Sequence, residues 1–168
     1  MARKRVLVVG LGNMGMSHAL AYTRIPDFEV VGVCERRIAQ RKLPDALKGA
    51  RKFDNFEKAL AELKPDVVSI NTLPDTHAQF AIKAMEAGAH VFVIGYILRQ
   101  HPSWIRFIEI ARQLGTPLVF RMNLNQQSNG ETWAWHKRLM DSFPPIVDCG
   151  VHYVDVMCQM TRAKPVRV

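Results

Sequence analysis

Through the first 95 residues, short β-branched runs alternate with stretches of helical periodicity, the pattern of a parallel sheet with crossover helices. RVLVV at 5–9 is an apolar run of the kind expected for a strand buried on both faces. Residues 14–24 follow as a helix closed off by Pro26, and EVVGVC at 29–34 reads as a second strand. A short third strand is expected near 50–53, after a basic and poorly patterned connection. Asn55 can cap a helix running to residue 63, with Glu57 and Lys58 in its first turns and Pro65 as its stop. Residues 67–71 make a fourth strand. Asp75 is expected to cap a helix to residue 87, ended by Gly88, and residues 90–94 make a fifth strand.

Beyond residue 95 the pattern changes. Residues 102–114 have amphipathic helical spacing, 116–124 are strand-like, and NQQSNG at 125–130 is a polar loop. Residues 132–141 are expected to be helical, Pro144 and Pro145 break that helix, and 147–160 form a further one. The final KPVRV resembles the start of a strand. The expected fold is α/β, a Rossmann doubly wound parallel sheet followed by an incomplete α/β substrate domain. Its boundaries fall at 1–95 and 96–168.

Composition narrows the function classes. With 48% apolar and 23% charged residues, the chain is ordinary for a soluble globular protein. No apolar run approaches the roughly 18 to 20 residues needed to span a bilayer, and the basic start does not lead into a signal peptide. Three scattered cysteines, Cys34, Cys149 and Cys158, suit a reducing compartment, so a cytoplasmic location is expected. The formal charge of +8 raises nucleic-acid binding, but the positive residues are dispersed and read better as solvated surface. Neither a nucleic-acid nor a membrane partner is expected, and no spacing argues for a metal site.

The chemistry-bearing signal is the turn after the first strand, Gly10-Leu11-Gly12-Asn13-Met14-Gly15. Gly10 permits the tight turn, Gly12 lets the backbone approach a pyrophosphate, and Gly15 lets the helix pack closely on the sheet. A helix N-terminus then offers unpaired N–H groups to phosphates. Such a glycine pattern alone is weak. Here it follows a strand, opens a helix and is followed by Glu35, 20 residues after Gly15, where a carboxylate would bind the adenosine ribose hydroxyls. Glu35 favours NAD, because a carboxylate repels a 2′-phosphate. Arg36 and Arg37 leave NADP open.

With these features, TLPDTH at 72–77, AGAHVFV at 87–93 and DCGVHYVDV at 148–156, the chain resembles the Gfo/Idh/MocA oxidoreductases. The resemblance implies NAD(P)-dependent hydride transfer to or from a sugar, inositol or related hydroxyl compound. It also implies a homo-oligomer in the full-length family form. It places Thr72, Leu73, Pro74 and His77 under the cofactor; from the residues alone, Pro74 and Asp75 could equally be a turn and a helix cap. Asp148, His152 and Asp155 stand at i, i+4 and i+7, so they line one helical face. A carboxylate one turn from an imidazole can orient it as a general base. Spacing alone is equally met by a buried histidine with an ion-pair partner; the resemblance makes Asp148 and His152 catalytic.

The chain also departs from that family. Relatives follow the AGAHVFV strand with Glu-Lys-Pro, whose lysine helps polarise the reacting hydroxyl, whereas this chain reads Ile94-Gly95-Tyr96. The following residues, to Pro102, resemble a segment that normally comes after a further helix and a sixth strand. A stretch of about 25 to 30 residues, one helix-plus-strand unit, is therefore expected to be missing after Val93. The second domain is expected to be cut short at its end. A non-catalytic dinucleotide-binding module, a sensor or partner subunit, is the alternative function.

Overall fold

The computed structural model describes residues 2–92, 95–123, 129–130, 133–134, 137, 140–141 and 143–166, without the side chain of Asp148. Two compact units divide the chain, Met1–Ile94 and Gly95–Val168.

The first unit is a five-stranded sheet in the order β3-β2-β1-β4-β5, in which every neighbouring pair is parallel. Its strands are β1 (Lys4–Val9), β2 (Phe28–Cys34), β3 (Arg51–Phe53), β4 (Val67–Ile70) and β5 (His90–Phe92). Helices α1 (Asn13–Thr23), α2 (Phe56–Leu63) and α3 (Pro74–Glu86) supply the crossovers. Burial of both sheet faces explains why β1 is apolar at every position over 6–9. Val6 and Val8 join Leu11, Ala19, Val33 and Leu47 on the α1 side. Leu7 and Val9 meet Phe56, Leu60, Val68 and Ile70 on the other.

Local sequence sets the helix ends. Asn55 caps α2 as expected, its side chain accepting the Lys58 N–H at 2.8 Å. For α3 the expectation is corrected: Leu73 is the N-cap residue and Pro74 the first helical one, so Asp75 lies inside the first turn. Proline has no N–H to lose there, and its fixed φ suits the first helical position. The strand expected at 90–94 is described over His90–Phe92, with 93–94 outside the described residues.

In the second unit α4 (Pro102–Gln113) packs on α5 (Val151–Thr161). Ile108 and Ala111 of α4 meet Val156 and Met160 of α5, with Leu98, Trp104 and Phe120 alongside. The helix expected over 147–160 is corrected to a π-helical turn, Ile146–Gly150, leading into α5. The strand expected over 116–124 is corrected too: 116–123 belong to no strand, and Val119 is 97% exposed. Its apolar residues have no neighbouring strand among the described residues to complete a ladder, and a lone strand cannot satisfy its backbone. The expected loop at 125–130 lies largely outside the described residues; of the helix expected at 132–141, the described residues 133–134, 137 and 140–141 are helical; residues 164–166 of the expected final strand are not in one.

Candidate functional site

Three strand ends meet at one edge of the first unit. The Gly10 N–H donates to the Cys34 carbonyl at 2.8 Å and the Asn71 N–H to the Val9 carbonyl at 2.7 Å, tying the turns after β1, β2 and β4 together. This is where the strand order reverses, with β2 on one side of β1 and β4 on the other. Open parallel sheets bind their ligands at such a point.

Each glycine of the turn does a different job. Gly10 has φ +80°, a left-handed conformation, and a Cβ there would lie 2.6 Å from the Asn71 carbonyl oxygen. A Cβ on Gly15 would lie 1.8 Å from the Gly10 carbonyl oxygen, so α1 rests directly on the turn. Gly12 is the opposite case. A Cβ there would meet nothing within 4 Å, so the space beside it is open. Gly12 is also the N-cap residue of α1, with no capping side chain and no acidic residue in the first turn. The N–H groups of Asn13, Met14 and Gly15 precede the first intrahelical bond, Met16 N–H to Gly12 O at 2.9 Å. They leave the positive end of the helix dipole uncompensated.

At the end of β2 the Glu35 carboxylate accepts the Leu11 N–H through Oε2 at 3.0 Å, and Oε1 takes no hydrogen bond among the described residues. Arg41 Nη1 donates to the Leu11 carbonyl, so one residue of the turn is held from both faces of its backbone. Lys52 Nζ steadies this connection by donating to the Arg41 carbonyl at 3.3 Å. Arg36 is exposed beside Glu35. Burial, with Glu35 and other carboxylates nearby, pushes the Cys34 thiol up to about 12 and keeps it a neutral core group.

After β4, Thr72 and Leu73 lead into Pro74. The His77 Nε2 lies 2.9 Å from the Thr72 carbonyl, which can only accept, so Nε2 is the donor of this bond. The Thr72 and Thr76 hydroxyls are 2.6 Å apart, and the Thr76 hydroxyl donates to the Leu73 carbonyl at 2.7 Å. The Thr72 methyl would lie 3.0 Å from a Gly10 Cβ. The structure thus brings Gly10, Leu11, Glu35 and Thr72 into one constellation.

In the second unit His152 lies half-buried on α5. Its Nδ1 is buried and has no hydrogen-bond partner among the described residues. Its ring stands edge-on to Tyr96, centroids 6.1 Å apart. Asp155, which the spacing sets on the same helical face as His152, has a partner of its own. Asp155 is held in a fork by Arg99, Nε to Oδ2 at 2.8 Å and Nη2 to Oδ1 at 2.6 Å. Hydrogen bonding to Arg99 holds the Asp155 carboxyl below the usual carboxylate range. Asp148 belongs to the π-helical turn, and its side chain lies outside the described residues.

The model of the Gfo/Idh/MocA oxidoreductases, described as an oxidoreductase family with an NAD-binding Rossmann fold, matches residues 4–93. The chain belongs to this family. It is 35% identical over 118 residues to D-glucoside 3-dehydrogenase of Escherichia coli K12, covering 69% of this chain and 34% of that protein. It is 28% identical to UDP-N-acetylglucosamine 3-dehydrogenase of Acidithiobacillus ferrooxidans, covering all of this chain and 58% of the relative. Among solved structures, GenD2 from gentamicin A biosynthesis, in complex with NAD, superposes with a TM-score of 0.56 at 26% identity, covering 66% of this chain and 39% of that one. The chain therefore spans between one third and three fifths of the length of these relatives. The Acidithiobacillus alignment extends over 194 positions against 168 residues here, leaving about 26 positions of the relative without a counterpart.

The glycine turn fits the family's cofactor. The open space at Gly12, the unpaired N–H groups of α1 and the free oxygen of Glu35 are the features a dinucleotide's pyrophosphate and ribose require. Sequence reasoning missed Arg41, Tyr96 and Arg99. A single sequence contains no signal that pairs Arg99 with a carboxylate 56 residues away. Arg41 could have been flagged only as one of several basic residues after Glu35.

Proposed function

We propose that this chain binds NAD(H) at the glycine turn and serves oxidoreduction of a sugar, inositol or related hydroxyl compound. The observation that carries the reading is the open cradle at Gly12, next to uncompensated helix N–H groups and the ribose-facing carboxylate of Glu35. When bound, NAD supplies a two-electron acceptor for the substrate carbon that loses hydrogen. The residues of this chain do the rest. Asn13, Met14 and Gly15 bind pyrophosphate oxygens through backbone N–H groups, and Glu35 Oε1 accepts from a ribose hydroxyl. Thr72, Leu73, Pro74 and His77 form the adjoining floor.

His152, with Asp148 one turn before it, is the base of this proposal: its imidazole takes the proton of the substrate hydroxyl as the carbonyl forms. The Nδ1 without a partner supports the role, because a buried imidazole nitrogen left unpaired is costly unless something else occupies it. A base of this kind contributes about 10² to 10⁴-fold. Gly95 stands where the family resemblance expects the lysine, so no side-chain cation there stabilises the developing alkoxide. We place the gap of about 26 positions at this point. It leaves turnover slow, and the non-catalytic binding module remains the second reading on the same observation.

Calorimetric titration with NADH tests the cofactor site. Gly12→Val should remain folded by circular dichroism, because nothing lies within 4 Å of the new Cβ, and should lose binding. Equal affinity in wild type and Gly12→Val would remove the assignment. Slow NADH formation from a panel of hexoses and inositols, lost in His152→Ala, supports the oxidoreductase. A rate indifferent to His152 favours the binding module.

A further inference from the structure

A substrate hydroxyl that gives its proton to His152 still needs a hydrogen-bond donor on its oxygen, because negative charge gathers there on the way to a carbonyl. Gly95 offers no side chain for this. The next residue does. Tyr96 opens a single 3₁₀ turn, Ile97–Arg99, closed by the Arg99 N–H on the Tyr96 carbonyl at 3.0 Å. Side chains three residues apart eclipse in such a turn. The Arg99 guanidinium accordingly lies over the face of the Tyr96 ring, 5.2 Å from its centroid.

The ring is therefore held on two sides, its face by Arg99 and its flank by His152, edge-on at 6.1 Å between centroids. Arg99 is fixed in turn by the fork to Asp155, which stands three residues after His152 on α5. The chain of contacts from Asp155 through Arg99 to Tyr96 thus returns to the imidazole. Tyr96 is half-buried, and its hydroxyl makes no hydrogen bond among the described residues. A tyrosine tip taken out of water ordinarily finds a partner. A secondary alcohol supplies one: it donates its single proton and accepts on its lone pairs, so an imidazole and a phenol together satisfy it.

We infer that Tyr96 is a second catalytic residue, its phenol O–H donating to the substrate oxygen whose proton His152 takes, and that Arg99 and Asp155 position its ring. The inference rests on the oxidoreductase reading. The phenol keeps its proton throughout, and its hydrogen bond shortens as charge develops on the substrate oxygen. Arg99 acts through Tyr96, since its own fork is spent on Asp155.

NADH formation from a panel of hexoses and inositols tests it, on the whole chain as wild type, Tyr96→Phe, Arg99→Ala, the double variant and His152→Ala. Each is assayed below its own thermal transition and titrated calorimetrically with NADH. Tyr96→Phe keeps the ring against His152 and Arg99. It should lower kcat by about tenfold or more, the size of a lost hydrogen bond to a charged group, and change NADH affinity by less than about threefold. Arg99→Ala should also lower kcat, but by less than about threefold once Tyr96 is already phenylalanine, because both changes remove one interaction. Wild-type turnover in Tyr96→Phe, with activity lost in His152→Ala, overturns the inference alone. An Arg99→Ala loss as large in the double variant as in the single one shows that Arg99 serves the fold, and the positioning role falls. A wild-type chain that forms no NADH from any of the panel strikes the oxidoreductase reading itself, and this inference with it.

Discussion

The two units differ in how they obtain a core. In the first, the sheet is sandwiched, and Val6, Leu7, Val8, Val33, Val68 and Ile70 are all fully buried. In the second, the described core is four residues on two helices, Ile108, Ala111, Val156 and Met160. Around it Phe107, Ile110, Leu114 and Val119 remain exposed. A shallow apolar hollow of about 170 Å³ opens among Phe107, Leu114, Leu118 and Met157. A parallel sheet with crossover helices satisfies its own backbone and covers its own faces, whereas a helix pair covers one stripe of each helix and leaves the rest. The model matched over 4–93 corresponds to the unit that closes on itself. The second unit's exposed apolar side belongs to a chain that spans at most three fifths of these relatives.

The largest expected effect breaks the first unit outright. Gly15→Val puts a side chain 1.8 Å from the Gly10 carbonyl oxygen, where only backbone could move away. It should cost about 4 kcal/mol or more and abolish the cooperative thermal transition. A Gly15→Val protein melting like wild type would show that α1 does not rest on the turn.

A middle-sized effect sharpens the comparison. Leu7→Ala should cost about 2–5 kcal/mol, whereas Val119→Ser should stay within about 0.5 kcal/mol. Native-state hydrogen exchange should show the β1 and β4 amides outlasting those of α4 and α5. Exchange of all four elements at one rate would erase the distinction between the units.

The smallest effect concerns the ion pair of the second unit. Asp155 is held below the usual carboxylate range by Arg99, so it binds fewer protons folded than unfolded. Its stabilising contribution is complete above the ordinary carboxyl range and disappears as the pH falls through the lowered folded value. Asp155→Asn should therefore destabilise α5 at neutral pH and match wild type in acid. A difference between the two proteins that does not change with pH would show packing, not charge, at that position.

Much of the candidate cofactor site was legible in the sequence because its determinants are local. A glycine turn between an apolar strand and a helix places its own N–H groups, and Glu35 follows one strand later in a βαβ unit of fixed geometry. The capping of α2 by Asn55 was legible for the same reason. The start of α3 was misjudged because Pro74, suited to the first helical position, and Asp75, suited to an N-cap, stand side by side, and only the fold shows which of them sets the start. The strand expected at 116–124 shows the limit more plainly. β-propensity describes a fit to a neighbouring strand, and 116–123 have none among the described residues.

The sequence by itself determined the order of strands and helices in the first unit, the glycine turn and the carboxylate beside it. These depend on periodicity and on backbone conformations that only particular residues adopt. Tertiary structure alone decided which charges meet. It gave Asp155 to Arg99 and left His152 Nδ1 without a hydrogen-bond partner among the described residues. It also brought Arg41 onto Leu11 across 30 residues of chain. Those pairings are set by where folded elements end in space, and long side chains choose among neighbours that sequence order does not reveal.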